Sequence, residues 1–122
     1  MGWIGVDLDG TLAVYRGWNG GAIGEPVPLM VERVRHWLDN GQDVRIFTAR
    51  VGVCGEYSTE SLRTANEEFA REQEQLIGDW CEAHVGTRLK VTAVKDFTMV
   101  ELWDDRAVQV IPNTGRRVDG QP

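Results

Sequence analysis

Residues 3–12 read Trp3-Ile4-Gly5-Val6-Asp7-Leu8-Asp9-Gly10-Thr11-Leu12, a short apolar run that breaks into two acids, a glycine and a threonine. An apolar run without alternation predicts a strand buried on both faces, as in the middle of a parallel sheet. The acids begin where that strand ends. Gly17, Gly20, Gly21, Gly24, Pro26 and Pro28 then give residues 14–28 the composition of a loop. Met30, Val31, Val34, Trp37 and Leu38 recur at helical spacing, and Gly41 supplies a stop. Residues 43–48, with Val44, Ile46 and Phe47, predict a second strand, followed by a loop over 51–57. Ser58 or Thr59 caps a long helix with Leu62, Ala65, Phe69, Leu76, Trp80 and Ala83 as its apolar stripe, ended by Gly86. Further strands are predicted over 89–94, 100–103 and 107–111, which makes about five in all. The order predicts an α/β fold with a mostly parallel sheet.

A chain of 122 residues suits one domain. Its 42% hydrophobic and 26% charged residues are ordinary for a globular chain and argue against disorder. No apolar run approaches the ~20 residues that span a bilayer, so no membrane partner is expected. The first residues lack a basic segment, so a signal peptide is not expected either. Cys54 and Cys81 make neither a disulfide framework nor a zinc site, and the pairing of Cys81 with His84 on one helix face adds too few ligands. A reducing, cytoplasmic setting is the expectation. The net charge of −6 resides in one stretch: residues 56–85 hold eight acids against Arg63 and Arg71, and the remaining eleven acids balance eleven bases. That stretch reads as a solvated helix face, and it does not exclude a phosphate-bearing partner.

In an open parallel sheet, ligands sit beyond the carboxyl ends of the strands. Asp7, Thr48 and Asp104 each fall at such an end. Asp7, Asp9, Asp104 and Asp105 gathered at one edge would repel one another unless a cation neutralised them. A hard divalent ion such as Mg²⁺ does so, taking a few carboxylates and leaving room for water and substrate phosphate. Thr48 and Lys95 offer a hydroxyl donor and a positive charge for that phosphate. Gly10 permits a tight turn with amides free to face an anion. A carboxylate can attack phosphorus, and a second one two residues along an extended chain points the same way and can carry a proton.

These segments resemble the motifs of the haloacid dehalogenase superfamily. DLDGTL at 7–12 is similar to its first motif in the phosphatase form, and Thr48 in IFTAR, Lys95 in TAVKDF and the acidic pair in ELWDDRA follow in the family's order. The resemblance spans residues 1–111 and implies a three-layer Rossmann-like core, with residues 112–122 as a polar C-terminal tail. It implies that Asp7 is nucleophile and metal ligand, and that Asp9 is general acid and base with its backbone carbonyl on the metal. Thr48 and Lys95 would hold the phosphoryl group, with Asp104 on Mg²⁺ and Asp105 bound through water or orienting a neighbour. The implied activity is Mg²⁺-dependent hydrolysis of a phosphate monoester through an aspartyl phosphate. The chain has no room for a substantial cap, so the phosphorylated substrate stays open among small molecules, nucleotides and nucleic-acid ends, as does the oligomeric state.

Two other functions compete. A receiver module also uses acids, Thr and Lys on an α/β core, but there the acidic pair comes first, whereas here it comes last. A catalytically silent relative that only binds has the same motifs and differs in turnover. Other residues have two readings as well. Tyr15 and Trp18 either pack down the glycine-rich loop or stack on a nucleobase. Arg50 either contacts substrate or makes a surface ion pair.

Overall fold

Four strands pair side by side in the order β3-β2-β1-β4, and every pairing is parallel. The computed structural model describes residues 2–52 and 59–122, so the sequence readings at Cys54 and Ser58 lie outside the described residues. In chain order the elements are β1 (Trp3–Val6), α1 (Pro28–Asp39), β2 (Asp43–Phe47), α2 (Glu60–His84), β3 (Lys90–Thr92) and β4 (Met99–Trp103). A 3₁₀ turn at Ala49–Val51 follows β2.

β1 is buried along its whole length and lies between β2 and β4, as its apolar run predicted. Val6 pairs with Ile46 on one side and with Trp103 on the other. Those three residues sit at or next to the carboxyl ends of their strands, so Asp7, Thr48 and Asp104 emerge together.

Side chains alternate across a strand. Ile4, Val6, Val44 and Ile46 face one way and share a core with Met30, Val31 and Val34 of α1 and Ile77, Trp80 and Cys81 of α2. On the opposite face Trp3 is 1% exposed, packed beside Phe47 and under the Arg45 guanidinium. The β3–β4 connection crosses this face from one sheet edge to the other. Trp3 Nε1 donates to Asp96 Oδ1 at 2.9 Å, and its backbone N–H donates to the Thr98 carbonyl. The domain is therefore layered as helices, sheet and a thin connection, with no large extra cap among the described residues.

Pro28 starts α1, where its missing N–H costs nothing, and Gly41 follows the helix at φ +76°. Thr59 caps α2, its side chain accepting from the Leu62 N–H at 3.2 Å. Of the apolar stripe expected on α2, only Trp80 belongs to the buried face. Leu62, Phe69 and Leu76 are exposed, while Gln73, Ile77, Gly78, Trp80 and Cys81 are buried. The long helix packs on the sheet only through its second half. Its acids from Glu68 to Glu82 face solvent, as composition suggested.

The fifth strand expected over 107–111 does not form. Ile111 N–H instead donates to the Arg116 carbonyl and Val118 N–H to the Gln109 carbonyl, so the segment folds back on the tail. Asn113 and Gly115 take the positive φ values that this reversal needs. The polar tail is thus tied to the segment before it.

Helix-face assignment is checked by urea denaturation: Ile77→Ala is expected to cost ~2–5 kcal/mol. Leu62→Ala is expected to stay within ~0.5 kcal/mol of wild type; equal losses would mean the expected stripe is buried after all.

Candidate functional site

Just past Val6 the chain curls into a tight turn. Leu12 and Ala13 amides return to the Leu8 carbonyl, and Gly10 N–H donates to the Ala13 carbonyl at 2.8 Å. The amide of Gly10 is therefore spent inside the turn, not left free for an anion as the sequence suggested. Glycine is required there for two reasons: its φ is +93°, and a Cβ would stand 2.5 Å from Asp105 Oδ2.

The Asp105 carboxyl thus lies in a cradle against the turn. Its backbone N–H donates to Thr11 Oγ1 at 3.1 Å, and that hydroxyl lies 3.5 Å from Asp7 Oδ2. The Asp104 side chain accepts from the Arg106 N–H at 2.7 Å. Asp7, Asp104 and Asp105 each offer a carboxylate oxygen, and these oxygens lie within 4.8 Å of one another. Asp7 is pushed up to about 7, by burial first and then by the charges of Asp104 and Asp105. Such crowding is what a divalent cation relieves, and the all-oxygen donor set suits a hard one.

Asp9 is turned away from this triad. Arg50 Nε donates to Asp9 Oδ2 at 2.7 Å and Nη2 to Oδ1 at 2.8 Å. Nη1 donates to the Gly21 carbonyl at 2.6 Å and to Gln73 Oε1 at 2.8 Å, and Nη2 also reaches the Ala22 carbonyl at 3.3 Å. A guanidinium has five N–H donors, and all five are engaged. The Arg50 side chain is 4% exposed, so the surface ion pair weighed from sequence is a buried clamp. No donor remains for substrate. The clamp fixes four pieces of chain together: the β1 turn, the 14–28 loop, the 3₁₀ turn and α2. That loop is further pinned where Val14 N–H donates to the Glu25 carbonyl, Val27 N–H to Leu12, and Trp80 Nε1 to Gly24.

A hollow of about 400 Å³ opens between these pieces, lined by Asp7, Asp9, Thr48, Arg50, Asp104 and Arg106, with Tyr15, Trp18 and Phe47 among its walls. Thr48 is 3% exposed. Its hydroxyl oxygen accepts from the Arg50 N–H, which leaves the hydroxyl proton to donate. Lys95 is not among the lining residues. It lies in the exposed β3–β4 connection, next to Asp96, which is anchored to Trp3 at the start of β1. β1 is four residues long, so its two ends are ~10–13 Å apart at ~3.3 Å per residue. Arg106 is the cation that sequence reading passed over; its place right after the acidic pair is the signal that would have found it.

A larger hollow of about 880 Å³ lies along α1 and Trp103, and none of Asp7, Asp104 and Asp105 lines it. Cys81 is buried, and burial pushes its thiol up to about 11, so it is not a nucleophile. Among the described residues no helix is long and apolar enough to cross a membrane.

The fold and site define the chain as a small Rossmann-type α/β domain with a clustered acidic triad at its carboxyl edge. No family model matches the chain. No curated protein matches it. Among solved structures it is similar to a conserved protein of Bacteroides thetaiotaomicron, at 21% identity and a TM-score of 0.57, over 99% of this chain and 81% of that one. That likeness is one of fold.

Two outcomes test the site. Without metal, folded Asp7 holds its proton to about pH 7, whereas unfolded it ionises near ~4. The folded chain then binds the extra proton between those values, so this group's contribution to stability is full below ~4 and falls as pH rises through about 7. The expected result by calorimetry is a metal-free Tm that declines over this window, flattened by Asp7→Asn and raised at pH 8 by millimolar Mg²⁺. In chemical denaturation, Arg50→Ala is expected to cost ~3–5 kcal/mol by stranding the Asp9 charge. Arg50→Lys should recover only part, since an ammonium cannot reproduce the fork; a near-neutral Arg50→Ala would refute the clamp.

Proposed function

We propose that the chain is a phosphohydrolase of the haloacid dehalogenase type, acting on a phosphate monoester through an aspartyl phosphate on Asp7. The observation that carries this reading is the half-buried Asp7, facing Asp104 and Asp105 across less than 4.8 Å and lining the same hollow as Thr48. The order of the motifs in the chain supports it, as does the parallel sheet that brings their ends together.

Asp7, Asp104 and Asp105, with the Asp9 carbonyl, would hold Mg²⁺. That ion would offset the charge of the phosphoryl oxygens and of the crowded acids. In the proposed first step, Asp7 attacks phosphorus and the ester oxygen leaves. Asp9 enters this step as the neutral acid and gives that oxygen its proton. The resulting carboxylate then takes a proton from the water that attacks phospho-Asp7, which breaks the bond between phosphorus and the Asp7 oxygen and releases phosphate. Arg50 holds both Asp9 oxygens in one rotamer, and each oxygen keeps a further lone-pair site for proton traffic. The Thr48 hydroxyl donates to a phosphoryl oxygen. The balancing positive charge comes from Lys95, as the motif order implies, or from Arg106, which lines the hollow.

Hydrolysis of p-nitrophenyl phosphate with and without Mg²⁺ tests the reading. Expected are metal-dependent turnover in wild type and a loss of at least ~10³-fold in folded Asp7→Asn. Turnover that survives in Asp7→Asn overturns the nucleophile; no turnover in folded wild type favours a silent binding protein. Lys95→Ala and Arg106→Ala separate the two cations: the one that holds phosphate loses ~10²-fold or more in kcat/KM.

A further inference from the structure

Trp18 is set apart from an ordinary loop aromatic by how it is held. Its ring lies 5.0 Å from the Arg50 guanidinium carbon, and Phe69 of α2 stands 6.3 Å away at 52°. Arg50 is itself locked by its five hydrogen bonds, two of them to the Gly21 and Ala22 carbonyls beyond Trp18. The indole is thus supported from below and at its edge, yet it remains 55% exposed. Exposed Phe69 on α2, otherwise a misfit on a polar helix face, finds its use in this support.

Trp18 and Tyr15 both line the acidic hollow. They also line a second hollow of about 510 Å³ that includes Arg16, Asn19 and Glu25. The two aromatics form the wall shared by the acidic hollow and a chamber rimmed with amide, carboxylate and guanidinium groups. A rigid, half-exposed aromatic surface favours a flat π-system, because little side-chain freedom is lost on stacking. Hydrogen-bonding groups beyond it suit the polar edges of such a ring. The combined space falls in the range of small-molecule sites.

From this juxtaposition we propose that Trp18 and Tyr15 form a stacking platform for the base of a nucleoside monophosphate, whose phosphate lies at Asp7. This names the substrate class of the reading above and rests on it. The free nucleotide is the favoured source over a nucleic-acid end. The net charge is −6 and α2 carries its acids from Glu60 to Glu82 along the same helix as Phe69, so a polyanion meets repulsion.

The test compares kcat/KM, with Mg²⁺, for the 5′- and 3′-monophosphates of adenosine and uridine against ribose 5-phosphate. The best nucleotide should exceed ribose 5-phosphate by about five- to a hundredfold, the range that base–aromatic stacking supplies. Trp18→Ala should collapse that ratio toward one, Tyr15→Ala should reduce it, and Trp18→Phe should keep most of it. A sugar phosphate turned over as well as every nucleotide overturns the platform while leaving the phosphohydrolase standing. So does a ratio that survives both alanine variants. A terminally phosphorylated oligonucleotide preferred over the mononucleotides overturns the assignment to free nucleotides. If p-nitrophenyl phosphate and all these esters are inert, the phosphohydrolase reading fails by itself. Calorimetric titration of Asp7→Asn with Mg²⁺ then decides the platform: tighter binding of adenosine 5′-monophosphate than of ribose 5-phosphate supports it, and equal affinities overturn it.

Discussion

A parallel sheet sends the carboxyl ends of all its strands to one edge, and here that constraint gathers acids that water would keep apart. β1 can sit at the centre because Trp3 to Val6 are buried on both sides, by the helix core on one face and the β3–β4 connection on the other. Its neighbours β2 and β4 are then in register at Ile46 and Trp103. The residue that follows the end of each strand is a functional one: Asp7 after Val6, Thr48 after Phe47, Asp104 after Trp103. The cost of crowding carboxylates falls on the half-buried Asp7, and it is the physical reason to expect a cation there.

Arg50 ties the remaining parts to that edge. It joins the turn after β1, the 14–28 loop and the buried Gln73 of α2 in one saturated network. A network with every donor used is stiff, and losing one member leaves several buried groups unpaired. The loop that composition marked as glycine-rich is therefore held in place at its base and its middle. Its aromatics are presented to the hollow instead of folding over it.

Much of the framework was legible. The apolar run at 3–6, the helical spacing after Pro28, and the strands expected over 43–48 and 100–103 appear within a residue of where the sequence placed them. The acids at 7, 104 and 105 converge as expected of residues following parallel strands. The α2 stripe was misread because Leu62, Phe69 and Leu76 keep helical spacing whether or not the sheet extends beneath them. Only the half of α2 from Gln73 onward has sheet below it. The strand expected over 107–111 failed because the turn at 112–115 offered its backbone a nearer partner.

By itself, the sequence determined the α/β order, the central buried strand and the acids that end it, because burial and strand periodicity are local properties of the chain. Tertiary structure alone decided the partners of Arg50, the separation of Asp9 from the Asp7 triad, and the placing of Arg106, not Lys95, at the hollow. Those depend on contacts between residues far apart in the chain, such as Arg50 with Asp9 and Gly21, and on where a crossing connection is anchored. Asp96 bonds to Trp3 at the far end of β1 and takes the neighbouring Lys95 with it. A spacing of residues carries no information about such an anchor until the sheet is assembled.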